Sequence, residues 1–287
     1  MGHHRQGSKN KSGNAALRHR VNAAKAAVED QIDFFQKQFG QVKSEWKEDD
    51  TRVTFADFAI SEKIFASLRR HFPEDDFCSE ESNPQDEIQQ LEADFAWVLD
   101  PIDGTNNYAL GMPIAAISLG LLQEGMPIYG VIYDSNRNVL VHGGPGFGVF
   151  QGKSRFLPKA GDSSETRPMS DFTFGTSFPM SDAQLDFIRP LLERFRVRAI
   201  GSSTLSVLYS AIGLFDGALD FKVKVWDIAA AAAIVEAVEK PLSFFSAPVF
   251  PLKQFHPRLP SCPFYTGSVR FCGEVERLLK RTGNRPD

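Results

Sequence analysis

Hydrophobic residues recur at steps of three and four along the first part of the chain. Between residues 15 and 39 the apolar positions are Leu17, Val21, Ala24, Val28, Ile32, Phe35 and Phe39. This period matches one face of an α-helix and predicts an amphipathic helix that ends at Gly40. A second helix is predicted from Thr54 to Pro73, and its predicted buried side is Phe58, Ile64, Phe65, Leu68 and Phe72.

The start of the second helix carries a capping signal. In Thr54-Phe55-Ala56-Asp57 a threonine is followed, three residues on, by an acid that reaches back to the threonine N–H. Asp57 therefore has a sufficient structural explanation in the sequence alone.

Short apolar runs follow, which predict strands. The run from Phe95 to Leu99 reads as a buried strand, and Phe77 to Ser79 as another. Four further runs are separated by Gly- and Asn-rich turns and predict a meander of antiparallel hairpins: residues 117–122, 128–133, 139–142 and 149–151.

Beyond residue 172 strand-like and helix-like segments alternate, which predicts an α/β half with a partly parallel sheet. The stretch from Lys153 to Ser170 is rich in Gly, Ser and Pro and is the predicted boundary. We therefore expect a disordered tail (1–14), an N-terminal α+β half with an antiparallel sheet (15–160) and a C-terminal α/β half (161–287).

Composition narrows the class of protein. The 287 residues are 42% hydrophobic and 24% charged, as in soluble globular proteins. A net charge of −4 offers no field for nucleic acid, and no apolar run approaches the ~20 residues that cross a bilayer. Three widely spaced cysteines argue for a reducing compartment. These features predict a cytoplasmic protein with neither a nucleic-acid nor a membrane partner.

The stretch from Trp97 to Thr105 carries the candidate chemistry. A buried strand ends in Asp100 and Asp103, and Pro101 stiffens the turn between them. Gly104 and Thr105 follow, where main-chain N–H groups can approach an anion. Two hard oxygen donors beside an anion cradle suit magnesium and a phosphate ester. The simpler alternative is an Asp-rich surface turn.

Two further acidic positions lie far away in the sequence. The turn Ser79-Glu80-Glu81-Ser82 has adjacent acids, and in extended chain only one of them can share a site with Asp100. Trp226-Asp227 opens an alanine-rich helix, where the helix dipole favours an anion. The simpler explanation of Asp227 is helix capping.

Together these motifs resemble the inositol monophosphatase family of magnesium-dependent, lithium-sensitive sugar phosphatases. The first signature of that family is matched nearly letter for letter by residues 97–105, and the second by residues 226–230. Residues 53–57, 79–82 and 198–202 resemble further family motifs. The resemblance implies a layered α-β-α-β-α fold of the sugar-phosphatase type and a homodimer.

The resemblance also implies roles for individual residues. Glu80, Asp100 and the Ile102 carbonyl would hold one Mg²⁺, while Asp100, Asp103 and Asp227 would hold a second. Glu80 would support a third ion through water. The Gly104 and Thr105 amides would bind the phosphate, and the Thr105 hydroxyl, oriented by Asp57, would activate the attacking water. Asp220, Gly201 and Ser202 would contact the substrate.

The implied activity is hydrolysis of inositol monophosphate or a related small sugar or polyol phosphate. Two other activities within the superfamily stay open, namely fructose-1,6-bisphosphatase and 3′-nucleotide phosphatase. A different class also stays open, a weakly catalytic protein that keeps the metal site and acts as a regulatory partner.

Overall fold

The computed structural model describes residues 4–42, 44–46, 52–82, 85, 87–157 and 166–282, with the main chain alone for 4–14, 44–46, 52 and 282. Its helices are α1 (His4–Gln38), α2 (Phe55–His71), α3 (Thr105–Leu110), α4 (Asp182–Leu192), α5 (Ser203–Ala211), α6 (Val225–Ala237) and α7 (Val269–Thr282), with a 3₁₀ turn at Met169–Asp171.

Strands form two large sheets and two small ones. The first sheet contains β3 (Asp76–Ser79), β5 (Phe95–Asp103), β6 (Ala116–Gln123), β7 (Met126–Asp134), β8 (Val139–Gly144), β9 (Gly148–Gln151) and β10 (Ser154–Phe156). The second contains β11 (Thr173–Gly175), β12 (Arg196–Arg198), β13 (Gly217–Asp220), β14 (Leu242–Phe244) and β16 (Phe264–Gly267). The small pairs are β1 (Ser44–Trp46) with β2 (Arg52–Thr54), and β4 (Gln89–Gln90) with β15 (Gln254–Phe255).

The first sheet confirms the predicted meander. Its order is β10-β9-β8-β7-β6-β5-β3, and consecutive strands from β5 to β10 pair antiparallel. The exception is β3, which pairs parallel to β5 with Ser79 opposite Leu99. Because parallel strands end at the same edge, the residues that follow β3 meet those at the end of β5.

The second sheet confirms the predicted mixture of pairings. Its order is β12-β11-β13-β16-β14, where β11 pairs parallel to β12 and β13, and β16 pairs antiparallel to β13 and β14. The layers alternate as the resemblance implies: α1 and α2, the first sheet, α5 and α6, the second sheet, then α4 and α7.

Helix α6 packs directly on the first sheet because glycine leaves room for its main chain. An added Cβ at Gly120 would lie 3.0 Å from the Ala229 Cβ. At Gly130 it would overlap the carbonyl oxygen of Ala230. Small residues on both surfaces thus bring the start of α6 close to the sheet edge where β5 ends.

Some predicted details differ. Helix α1 begins at His4, so residues 4–14, predicted as a disordered tail, continue it; no proline interrupts this stretch. Residues 1–3, and residues 158–165 of the predicted boundary, lie outside the described residues. The predicted burial of Phe58 is wrong, since its side chain is 51% exposed. The buried stripe of α2 follows Ala56, Ile60, Ile64 and Leu68 instead, and Phe58 lies off that stripe.

Two chain-wide observations complete the fold. Within the described part of the chain, none of the helices has the length and apolar character needed to span a membrane. The three cysteines, Cys78, Cys262 and Cys272, are buried free thiols.

Candidate metal and phosphate site

Three carboxylates converge at the edge of the first sheet. Asp100 and Asp103 come from the end of β5, and Asp227 comes from the first turn of α6. One oxygen from each lies within 4.8 Å of the other two. Asp100 and Asp103 are buried and Asp227 is half-buried. Such a cluster needs a cation before all of its members can ionise.

A bulge in β5 brings Asp100 and Asp103 together. In a regular strand, residues three apart point to opposite faces. Asp100 pairs with Ser118 and Asp103 with Ala116 on β6, so that β5 has one extra residue in this interval. The extra residue turns both aspartates toward the same site. The Ile102 N–H also donates to Asp100 Oδ1 at 3.0 Å and fixes the turn.

The electrostatics of the cluster favour a bound cation. Burial raises the pKa of Asp100 well above its usual range, and the charges of Glu80, Asp103 and Asp227 raise it further. Burial likewise raises the pKa of Asp227, with added repulsion from Asp103. The charge of Glu80 contributes in both cases. The Glu80 N–H donates to the Leu99 carbonyl at 3.1 Å, so that Glu80, which follows β3, lies next to the end of β5.

Asp103 is held by the N-terminus of α5. The Ser202 hydroxyl and the Thr204 N–H (3.1 Å) both donate to Asp103 Oδ2. Burial raises the pKa of Asp103 to about 7, and these hydrogen bonds oppose that rise. Ser202 was predicted to contact substrate; here its hydroxyl contacts Asp103 and also accepts from the Leu205 N–H.

Asp227 both caps α6 and belongs to the carboxylate cluster. At the third position of α6, its Oδ2 accepts the Lys224 N–H at 2.7 Å, as a helix cap does. The same carboxylate belongs to the cluster with Asp100 and Asp103. Capping therefore holds the side chain in the orientation in which it joins the cluster.

Thr105 links the first turn of α3 to α2. Its hydroxyl lies 2.8 Å from the Ile102 carbonyl and 3.3 Å from Asp57 Oδ1. Asp57 Oδ2 accepts the Thr54 N–H at 2.7 Å and the Thr54 hydroxyl at 2.6 Å, which confirms the predicted capping box. Asp57 thus caps α2 with one oxygen and contacts Thr105 with the other.

Gly104 occupies a cradle that only glycine fits. Its φ of +83° is left-handed, and an added Cβ would lie 2.9 Å from the Ile114 carbonyl oxygen and 3.0 Å from that of Gly201. Gly201, predicted to contact substrate, therefore packs against this turn.

Asn107 is a residue that the sequence analysis missed. Its amide donates to the Ile114 carbonyl at 2.8 Å and to the Ile200 carbonyl at 2.7 Å. It ties α3 to the loop before α5, although a single asparagine in a short helix gives no sequence signal for such a contact.

Asp220 lies at the end of β13, close to the cluster. It is buried and accepts the Ser203 hydroxyl at 3.1 Å and the Lys222 N–H at 2.9 Å. Burial raises its pKa, and its charge adds to the raised pKa of Asp227. Asp220 is thus placed on the second-sheet side of the carboxylates.

The donor chemistry fits magnesium. The cluster presents carboxylate oxygens, with the Ile102 carbonyl in the turn between two of them. Hard oxygen donors select Mg²⁺ over the softer metals that histidine and thiolate bind. Burial and mutual repulsion of the acids give a divalent cation a clear electrostatic advantage.

Comparison with known proteins gives a matching family model, relatives in sequence and solved structures of the same fold. The model of the inositol monophosphatase family matches residues 15–239. The Nus factor SuhB of Pasteurella multocida is 32% identical over 186 residues, 64% of this chain and 68% of that protein. The fructose-1,6-bisphosphatase/inositol-1-monophosphatase of Aquifex aeolicus is 28% identical over 229 residues, 77% and 83% of the two chains. A crystal structure of an IMPase/NADP phosphatase complexed with Mg²⁺ and phosphate has the same fold, with a TM-score of 0.76 at 22% identity over 91% of this chain and 95% of that one.

Proposed function

The chain belongs to the inositol monophosphatase family, and from this premise we propose that it is a Mg²⁺-dependent phosphomonoesterase. Its substrate is inositol monophosphate or a related small sugar or polyol phosphate. The observation that carries the proposal is the convergence of three acids, from β5 and α6, within 4.8 Å. Three acids crowded together in this way repel one another unless a cation lies among them.

In this proposal five residues hold two or three ions. Glu80, Asp100 and the Ile102 carbonyl would hold the first, and Asp100, Asp103 and Asp227 would hold the second. Bound Mg²⁺ neutralises the phosphate oxygens, acidifies the attacking water and stabilises the leaving alkoxide. Asp100 would contribute to both positions, and its carboxylate is buried near the charges of Glu80, Asp103 and Asp227, which raise its pKa.

Thr105 and Asp57 orient the attacking water. The Thr105 hydroxyl lies within reach of the Asp57 carboxylate, which can take its proton and leave the Thr105 oxygen to accept one from water. The N–H groups of Gly104 and Thr105, at the start of α3, bind the phosphate oxygens. The tight packing at Gly104 keeps this main chain in place.

Asp220 is the proposed contact for the hydroxyls of the substrate, because a buried carboxylate at the rim of the cluster is a strong acceptor for them. Gly201 and Ser202 complete that side of the site. Fructose-1,6-bisphosphate and a 3′-phosphorylated nucleotide are the alternative substrates. The homodimer and the cytoplasmic location stay predictions, and light scattering of the purified protein tests the first.

A phosphate-release assay tests the proposal. Purified protein with Mg²⁺ is offered inositol 1-phosphate, fructose 1,6-bisphosphate and a 3′-phosphonucleotide. We expect release that depends on Mg²⁺ and is fastest with inositol 1-phosphate. Asp100→Asn should lower kcat by more than about a hundredfold, since it removes a shared ligand charge. The control, Asp186→Asn on the exposed face of α4, should keep full activity.

Two results would contradict the proposal. Retained turnover in Asp100→Asn would remove this residue from the metal site. Mg²⁺ binding without hydrolysis of any substrate would favour the alternative of a regulatory metal-binding protein.

A further inference from the structure

Thr204 contacts both Asp103 and Asp227, which lie in different segments of the chain. Its N–H donates to Asp103 Oδ2 at 3.1 Å, and its hydroxyl donates to the main-chain carbonyl of Asp227 at 2.8 Å. The side chain is fully buried. One residue in the first turn of α5 thus joins the end of β5 to the first turn of α6.

The Thr204 hydroxyl donates its hydrogen bond outside its own helix. A threonine in the first turn of a helix commonly bonds to its own helix or cap. The Thr204 hydroxyl instead bonds to a residue 23 positions further along the chain, in a different helix. Because it holds the main chain of Asp227, it leaves the carboxylate to the Lys224 N–H and to the cluster.

We propose that Thr204 is a positioning residue that sets the spacing between the Asp103 and Asp227 carboxylates. The inference rests on the proposed function, in which these two acids share one Mg²⁺. Whenever both carboxylates are ionised in the metal-free protein, they repel each other and tend to open the site. The two Thr204 hydrogen bonds oppose that opening and keep the site ready for the ion.

The size of the effect follows from the class of contact. Residues that orient metal ligands without binding the metal contribute roughly 10- to 100-fold to metal affinity. Loss of the Thr204 hydroxyl should therefore weaken Mg²⁺ binding by that factor, although every ligand remains in the chain.

The test compares two matched substitutions. Thr204→Val removes the hydroxyl, preserves the side-chain shape and keeps the N–H that Asp103 accepts. Thr266→Val is the control, because the Thr266 hydroxyl is equally buried and donates to the Pro241 carbonyl at 2.7 Å in the second sheet. Urea unfolding without metal measures the structural cost of each change, and calorimetric Mg²⁺ titration of the folded proteins measures affinity.

We expect similar losses of stability in the two variants and a roughly 10- to 100-fold weaker Mg²⁺ affinity in Thr204→Val alone. Thr204→Ser, which retains the hydroxyl, should restore most of the affinity. If Thr204→Val fails to fold, Thr204→Ala against Thr204→Ser makes the same comparison.

Equal Mg²⁺ affinity in wild type and Thr204→Val would overturn the inference, as would an equal loss in Thr266→Val. The titration needs no substrate, so it is independent of turnover. A wild-type protein that binds Mg²⁺ and hydrolyses nothing would contradict the proposed function and leave the Thr204 comparison decisive. A wild-type protein that binds no Mg²⁺ would overturn both.

Discussion

Two aspartates show why single residues are hard to interpret from sequence. Asp57 and Asp227 each cap a helix from its third position, as the local pattern predicts. Each also reaches a second partner, Thr105 for Asp57 and the carboxylate cluster for Asp227. Asp57 uses one carboxylate oxygen for the cap and the other for Thr105. Asp227 caps α6 and joins the cluster in a single side-chain orientation. The sequence offers capping and a second contact as alternatives, whereas the structure shows both contacts.

The residues that the sequence analysis missed have one property in common. Thr204 and Asn107 act through hydrogen bonds to main-chain carbonyls of distant segments. Such bonds depend on tertiary placement and leave no spacing or pattern in the chain. The acids, in contrast, stand in local motifs, and for that reason they could be predicted.

His142 gives a residue-scale prediction about acid stability. It is buried on β8, where its Nδ1 lies 2.7 Å from the Tyr129 hydroxyl and its ring stacks on Phe150. Burial, with the nearby charge of Lys25, lowers the pKa of His142 from 6.5 to about 4. Between these two values the unfolded chain binds the extra proton, so that stability is lost as the pH falls through this window.

We expect His142→Gln to be less stable than wild type at pH 7 and to lose less stability between pH 7 and pH 4.5. Urea unfolding at several pH values measures both quantities. His71→Gln, an exposed histidine on α2, is the control and should lose as much stability in acid as wild type. If His142→Gln loses as much stability between pH 7 and pH 4.5 as wild type does, the lowered pKa of His142 is contradicted.

At the scale of elements, the sequence predicts what depends on periodicity. The buried face of α1 follows from apolar residues spaced three or four apart, and the hairpin meander follows from short apolar runs that are separated by turns. Both predictions are confirmed. The bulge in β5 and the parallel pairing of β3 follow from no such period. These two irregular features bring Glu80, Asp100 and Asp103 to one edge.

The contact between α6 and the first sheet gives a prediction for glycine. Gly130→Ala places a methyl group against the Ala230 carbonyl and should lower the free energy of unfolding by about 3 kcal/mol or more. Because α6 carries Asp227, Mg²⁺ affinity should fall as well.

Gly273→Ala on α7 is the matched control. Apart from the neighbouring residues and the backbone of α7 itself, no atom of the described residues lies within 4 Å of the added Cβ. The better helix propensity of alanine should therefore stabilise the protein by roughly 0.5–1 kcal/mol. Urea denaturation of the two variants measures both changes. A loss in Gly130→Ala as small as 0.5 kcal/mol, on the order of a surface change, would show that α6 moves freely on the sheet.

At the scale of the whole molecule, the site lies where the layers meet. The first sheet supplies Glu80, Asp100 and Asp103, and the middle helices supply Thr204 and Asp227. The family resemblance predicted the order of layers correctly. How closely α6 approaches the first sheet depends on the packing of glycines against alanines. The pattern of polar and apolar residues in the sequence does not predict this packing.

A cation shared by separate layers should stabilise them together. At a Mg²⁺ concentration of a hundred times Kd, binding contributes about 2.7 kcal/mol to the folded state. Hydrogen exchange should show added protection in the end of β5, the start of α5 and the start of α6 at the same Mg²⁺ concentration. Asp100→Asn is the control and should show little added protection. Protection confined to one of these segments would contradict a shared ion.

The close packing of α6 on the first sheet also has a consequence for folding during synthesis. The first sheet is complete at Phe156, but the helix that covers its Gly120 and Gly130 face begins only at Val225. While the ribosome makes the intervening segment, the face of the sheet that α6 will cover is exposed. Exposed apolar faces of this kind aggregate, so that a chaperone bound during this interval would protect the nascent chain until α6 is made.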